Sequence, residues 1–263
     1  MNRIDEKFAQ LKKEGKKALI TFLTVGDPDI SVSEQAIKLM ESEGVDVIEL
    51  GVPFSDPAAD GVVIQEADAR AIAGGTDIHK VFEMVERIRS DVKIPLVFLL
   101  YYNVVLQYGV EDFFKKCAET GIDGLVIPDL PYEESDEIAE YVEKYNIYQI
   151  FLVAPTSRGR IEKIAKAAKG FLYCVSSLGV TGEKTKFNTD FKKFFDTIRS
   201  YSDIPACVGF GISNGEQVRN LSSHCDGAIV GSAVVKAIAS DGTAEERLAK
   251  LKEKLDDLKS GIE

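Results

Sequence analysis

The chain has 263 residues, 45% of them hydrophobic and 29% charged, with 32 Lys and Arg against 43 Asp and Glu for a formal net charge of −11. That length and apolar content can fill one full core, and the acidic balance, with no Lys/Arg-rich block, excludes the basic footprint of a nucleic-acid binder and disfavours an anionic membrane surface. A small anionic substrate stays open, because backbone N–H groups hold phosphate inside acidic proteins.

The opening stretch MNRIDEKFAQLKKEGKKALI has no apolar signal-peptide core, and no later run approaches the length of a bilayer span, so the expected location is the cytoplasm. Within it, IDEKFAQLKKEG reads as an amphipathic helix able to plug the N-terminal face of a barrel. Eight apolar runs then recur: KALITFLTVG, VDVIELG, PLVFLLYY, GLVIPDLP, YQIFLVAP, GFLYCVS, PACVGFGI and GAIVGSA. Segments of helical period fill the gaps, beginning with SVSEQAIKLMESEG, where Ser31 or Ser33 suits the N-cap and Gly44 the stop. DIHKVFEMVERIRSD, EDFFKKCAETG, SDEIAEYVEKY, RGRIEKIAKAAKG, DFKKFFDTIRSY and NGEQVRNLSS follow, and AEERLAKLKEKLDDLKSG closes the chain.

Eight strands, each followed by a helix, favour a closed parallel barrel over an open sheet, and near-continuous apolar strands fit a sheet covered on both faces. The expectation is a single (β/α)8 TIM-barrel domain over residues 1–263, with an extra N-terminal helix and elongated loops after strands 2 and 6. No low-complexity stretch or Gly/Ser/Pro-rich linker divides it. Cys117, Cys174, Cys207 and Cys225 form no CxxC pair and read as reduced, mostly buried thiols; His79 and His224 lie in unrelated contexts, so no histidine-rich metal site is expected.

Barrel enzymes carry reactive groups at the C-terminal ends of their strands. In VDVIELG, alternation places Glu49 on the face of Val45 and Val47 and turns Ile48 and Leu50 toward the helices. Glu49 then points into the mouth among Phe22, Leu100 and Tyr173, where desolvation raises its pKa toward the range useful for general acid/base work. The competing reading is a Glu turned to solvent or paired with Lys. Asp60, in the loop ending AADG, can fold over the mouth, although a lone loop Asp is ordinarily a turn residue or helix cap. Asp56 in SDP carries the same structural reading more strongly, and Asp129 in PDLP suits a bond to nearby backbone as well as a contact with substrate.

The last two strand ends hold a second signal. GFGIS and VGSAVV let backbone N–H groups approach a phosphate, with Gly231 and Ser232 opening a short helix, and GVTGEKTKF after strand 6 supplies a Gly/Thr loop suited to closing over it. No Lys lies at the C-terminal end of any assigned strand, which disfavours Schiff-base chemistry. Two carboxylates, an aromatic pocket and a phosphate nest suit proton transfer on a flat apolar substrate bearing a phosphorylated tail.

The motifs IELGVPFSDPAADG, VIQ, GIDGLVIPDLP, GFLYCVSSLGVTG, VGFGIS and IVGSA, in this order and spacing over essentially the whole chain, closely resemble the α subunit of tryptophan synthase. The first is highly specific to that family; the glycine motifs are shared with other phosphate-binding barrels. The resemblance implies retro-aldol cleavage of indole-3-glycerol phosphate to indole and glyceraldehyde 3-phosphate, with no metal or cofactor in this chain and with a β subunit that uses pyridoxal phosphate, in an αββα assembly. It implies Glu49 as the general acid/base and Asp60 as the partner of the indole N–H. Phe22, Leu100 and Tyr173 become walls of the ring pocket, Thr181 and Gly182 part of the mobile loop, and Phe210, Gly211, Gly231 and Ser232 the phosphate site. Pro53, Asp56, Pro57 and Asn103 become part of the surface that meets the β subunit.

Four positions depart from the family pattern. Ala58 stands for the usual Leu, Val62 and Val104 for Pro, and Ser177 for a frequent Arg. Losing two prolines widens the conformations open to the loops around Asp60 and Asn103, so low isolated activity is expected, with the partner ordering Asp60. Two alternatives accompany this reading: a free-standing lyase, and a weakly active barrel that serves mainly to activate its β partner.

Overall fold

Each apolar run becomes a short parallel strand because both of its faces find cover. The computed structural model describes residues 1–175, 190–209 and 211–262. Its strands are β1 (Ala18–Thr24), β2 (Val47–Gly51), β3 (Leu96–Leu99), β4 (Gly124–Val126), β5 (Tyr148–Gln149), β6 (Leu152–Val153), β7 (Leu172–Val175), β8 (Ala206–Gly209) and β9 (Gly227–Val230). They pair in the order β5-β4-β3-β2-β1-β9-β8-β7-β6, all parallel.

The fifth predicted strand, YQIFLVAP, is the one that divides. Its first half pairs with β4 and its second with β7, and the break between them is bridged by Ile150 N–H donating to Leu125 O (2.8 Å) and Tyr173 N–H donating to Phe151 O (3.0 Å). One covalent segment thus joins the two ends of the sheet order and closes the eight-fold barrel.

Alternation along the strands sorts the core into two shells. Ile20, Val47, Val97, Val126, Ile150, Phe171, Cys207 and Ile229 fill the barrel interior, while Leu19, Leu23, Ile48, Leu50, Leu96, Phe98, Leu125 and Val208 pack outward with the helices. Val45 departs from the expected face: it precedes β2 and packs in the outer shell, because strand alternation begins only at Val47.

The amphipathic start forms a helix, Arg3–Glu14, whose Ile4, Phe8 and Leu11 enter the interior shell and plug the N-terminal face. Its entry is pinned by Asn2, whose amide donates to Asp123 O (2.9 Å) and Asn146 O (3.0 Å), and by Arg3, which pairs with the nearly buried Asp123 at 2.7 Å. At the same face Asp46, Asp123 and Asp226, each just before a strand, accept the N–H of Leu19, Leu96 and Ala206 on the neighbouring strand. These carboxylates satisfy strand-entry donors that lack a ladder partner.

The first outer helix, Ile30–Ser42, is capped by Asp29, whose carboxylate accepts Val32 N–H at 2.9 Å, and not by Ser31 or Ser33. Ser33 instead ties back, donating to Asp29 O and accepting Gly26 N–H. The long segment after β2 carries an unanticipated helix, Val62–Ala73, before the expected Ile78–Ile88. Two further short helices, Tyr102–Tyr108 and Ser232–Ile238, follow β3 and β9. The elongated loop expected after the sixth predicted strand lies outside the described residues. All four cysteines are free and buried. Among the described residues no helix is long and apolar enough to cross a membrane.

Ile4 is fully buried among interior side chains, so Ile4→Ala should lower the free energy of urea unfolding by about 2–5 kcal/mol. Lys13→Ala, on the exposed face of the same helix, should change it by less than about 0.5 kcal/mol.

Candidate active site

β2 delivers Glu49 to the mouth of the barrel in register with Phe22 of β1 and Val97 of β3. The side chain is fully buried and, among the described residues, neither carboxyl oxygen has a hydrogen-bond partner. Removal from water without compensation penalises the anion, and this burial pushes the pKa of Glu49 up to about 8. At neutral pH the group is therefore a carboxylic acid with a proton to give.

Two rings frame it. Phe22 lies across Gly51 at the end of β2, so that a Cβ there would sit 2.5 Å from the ring. Tyr173 lies across Gly209 at the end of β8, where a Cβ would sit 2.6 Å from its ring. Glycine at these two strand ends is required by the rings that lie over them. Burial raises the pKa of Tyr173 well above the ordinary value, and the charges of Glu49 and then Asp60 raise it further, which keeps the phenol neutral.

The third predicted wall shifts by one residue. Leu100 is fully buried in the outer shell, whereas half-buried Leu99 packs against the interior shell and against the Phe22 cluster. Alternation from Val97 accounts for this, since 97, 99 and 101 share the inward face.

Asp60 is nearly buried, and here the two carboxyl groups differ. Tyr101 Oη donates to Asp60 Oδ2 at 2.7 Å while accepting Ala59 N–H at 2.9 Å, and its ring stacks on Phe54 with centroids 5.0 Å apart. Gln65 Nε2 donates to the backbone oxygen of Asp60 at 2.7 Å. Burial raises the Asp60 pKa, against the Tyr101 hydrogen bond, which favours the anion. In the single chain the loop that carries Asp60 thus has a side-chain bond to Tyr101 and a backbone bond to Gln65.

Neither Tyr101 nor Asp68 was singled out from the sequence. Asp68 lies on the inward face of Val62–Ala73 with Ile64, Ala67 and Ala71. A lone acid in an apolar i, i+3, i+4 stripe is the signal that finds it once the segment is read as a helix.

The glycine-rich rim is partly described. Gly211 adopts φ +93°, a backbone that suits glycine, and Gly231, beside Phe22, caps the seven-residue helix Ser232–Ile238, with Ser232 nearly buried at its start. Thr181, Gly182 and Phe210 lie outside the described residues. Of the predicted partner surface, Asp56 and Asn103 are exposed and Pro57 is half-buried, whereas Pro53 is buried within the chain. Asp129 accepts Tyr102 N–H at 2.9 Å and so caps Tyr102–Tyr108. Val62 is the first helical residue of its helix, where proline is ordinarily favoured, and Val104 N–H donates to Tyr101 O, so both segments form helix without proline.

The family model described as tryptophan synthase alpha chain matches residues 8–263. The chain is 49% identical over 253 residues to the tryptophan synthase alpha chain of Caldanaerobacter subterraneus subsp. tengcongensis, covering 96% of this chain and 97% of that one. It is 44% identical over 238 residues to that of Methanocaldococcus jannaschii, covering 90% and 84%. Among solved structures, a tryptophan synthase from Mycobacterium tuberculosis superposes with a TM-score of 0.90 at 34% identity, over 99% of this chain and 98% of that one. A protein from Aquifex aeolicus superposes with a TM-score of 0.90 at 39% identity, over 100% and 99%.

The raised pKa of Glu49 has a stability consequence. An unfolded Glu loses its proton near pH 4.5 but folded Glu49 keeps it to about 8, so between these values the native state holds the extra proton and stability falls as pH rises. Glu49→Gln removes the effect. Its unfolding free energy should gain on that of the unmodified chain by up to about 1.4 kcal/mol per pH unit from pH 5 to 8. Urea unfolding of both proteins across that range measures it, and parallel curves would contradict it.

Proposed function

The chain belongs to the tryptophan synthase alpha chain family, and from that premise we propose that it cleaves indole-3-glycerol phosphate to indole and glyceraldehyde 3-phosphate. The observation that carries this reading is the contrast between two buried carboxyl groups at one barrel mouth: Glu49 unbonded and protonated, Asp60 held by a phenol.

In this reading Glu49 gives its proton to the ring carbon that bears the glycerol chain, and positive charge develops on the ring nitrogen. Asp60 accepts the indole N–H and stabilises that charge through a charge-assisted hydrogen bond. Glu49, now a carboxylate, takes the proton of the adjacent glycerol hydroxyl. The carbon–carbon bond breaks as its electron pair returns to the ring, and the hydroxyl carbon becomes the aldehyde. One proton leaves Glu49 and one returns, so no external acid or base is consumed.

Phe22, Leu99 and Tyr173 form the apolar walls suited to a flat ring, and the rim at Gly211, Gly231 and Ser232 supports a phosphate position after the last two barrel strands. The reading extends to a cytoplasmic biosynthetic role and to an αββα assembly in which pyridoxal phosphate belongs to the β partner. Exposed Asp56, Asn103 and Leu106 support a partner surface beside the mouth, with Asn103 and Leu106 one turn apart on Tyr102–Tyr108.

Indole release from indole-3-glycerol phosphate, alone and with a β subunit, tests the proposal. Glu49→Gln should lower kcat by about 10²–10⁴-fold, the range of a positioned general acid/base, with KM little changed. Asp60→Asn should also lower kcat, and the rate of the unmodified chain should fall as pH rises through about 8, where Glu49 loses its proton. Equal turnover in Glu49→Gln and the unmodified chain would overturn the assignment.

A further inference from the structure

Helix Val62–Ala73 brings a third carboxyl group, Asp68, beneath the loop that carries Asp60. Both are nearly buried, at 4% and 5% exposure. Among the described residues the donors to Asp68 are neutral: Thr24 Oγ1 at the end of β1, at a long 3.4 Å, and the backbone N–H of Phe54.

Among the described residues no cation is directed at Asp68. Arg70, two residues along, is committed bidentately to Asp27 at 2.8 and 2.9 Å. From the β3 side the facing titratable group is Tyr101, bonded to Asp60. From the packed helix Ser232–Ile238 the contact is apolar, through Val235 against Ile64 and Ala67, and Lys236 is exposed. The charges that act on Asp68 are those of Asp60 and, more weakly, Asp27, and both oppose its ionisation.

We propose that Asp60 and Asp68 act as a carboxyl pair that holds one proton in neutral solution, that the proton resides on Asp68, and that Asp68 is a positioning residue which keeps Asp60 ionised. Two anions that feel each other's charge in a poorly hydrated site repel, so one of them retains a proton. Geometry decides which. Asp60 accepts a short O–H bond from the Tyr101 side chain, which favours the anion, whereas the one side-chain donor among the described residues on Asp68, Thr24, is at a long 3.4 Å and a backbone N–H, that of Phe54, supplies the rest. Consistent with this, burial and then the Asp60 charge push the pKa of Asp68 up to about 7, against the Phe54 and Thr24 hydrogen bonds. The protonated carboxyl supplies the polar contact of a neutral group and adds no second anion. The role given to Asp60 in catalysis rests on the proposed function, whereas the shared proton does not.

The first test is infrared titration of protonated carboxyl groups in Glu49→Gln, which removes the other group protonated near neutrality. One band should disappear with a midpoint near pH 7 and be absent from Glu49→Gln/Asp68→Asn. In Glu49→Gln/Asp60→Asn, which leaves Asp68 in place, the midpoint should move down by about one unit once the neighbouring charge is gone. A band unchanged by Asp68→Asn, or one abolished by Asp60→Asn, would overturn the proposal.

Turnover supplies a separate arm. Asp68→Ala should lower kcat by about tenfold or more through misplacement of Asp60, and Asp68→Asn, which keeps the size and polarity of the neutral acid, should restore most of that loss. Equal losses in both would overturn the neutral-acid role. Absence of indole release in the unmodified chain itself would count against the proposed function and leave the infrared result standing.

Discussion

The mouth of this barrel is organised around one unfavourable interaction that the fold tolerates, the burial of Glu49 with both carboxyl oxygens unbonded. An ionised carboxylate in that position would cost far more than a neutral one, so the environment selects the protonated form without any specific acid-stabilising contact. What holds Glu49 there is the sheet. Its neighbours Ile48 and Leu50 are locked into the outer shell, and a strand side chain between them has only the interior face left.

Asp60 solves the opposite problem. It sits in a loop, where position is not enforced by a ladder, and its fixation comes from side chains: the phenol of Tyr101, itself stacked on Phe54 and bonded to Ala59 N–H. The same donors that fix the loop favour the anion. Burial raises the pKa of both carboxyl groups, but only Asp60, on its loop, has a hydrogen bond that opposes the rise, whereas Glu49, on its strand, has burial alone.

Much of this was legible in the sequence, for identifiable reasons. The strands stood out because a doubly covered parallel sheet is apolar at every position, and Glu49 stood out as the break in that pattern. The plug was legible from the period of Ile4, Phe8 and Leu11. What stayed hidden depends on phase or on distant contacts. Leu100 and Leu99 differ only in which way the pleat turns, and that phase is set by Val97 in its register with Glu49. The fifth strand divides because its two neighbours pair with different halves, a property of ring closure rather than of YQIFLVAP itself. Helix Val62–Ala73 was obscured by its exposed first residue, Val62, and with it the inward placement of Asp68.

Most acidic residues at the two faces of the barrel are bonded within the chain, and Glu49 is the exception that separates chemistry from stability. At the N-terminal face Asp46, Asp123 and Asp226 each accept a strand N–H, and Asp123 also pairs with Arg3. Such carboxylates are consumed by the backbone and have little left to offer a ligand. At the C-terminal face Asp27, Asp60 and Asp129 are bonded to Arg70, Tyr101 and Tyr102 N–H, while Glu49 has no hydrogen-bond partner among the described residues. A fold that satisfies its other carboxylates and leaves Glu49 without a donor holds reactive capacity where a substrate's own N–H and O–H groups can complete the bonding, which is why the mouth is the place to look for chemistry.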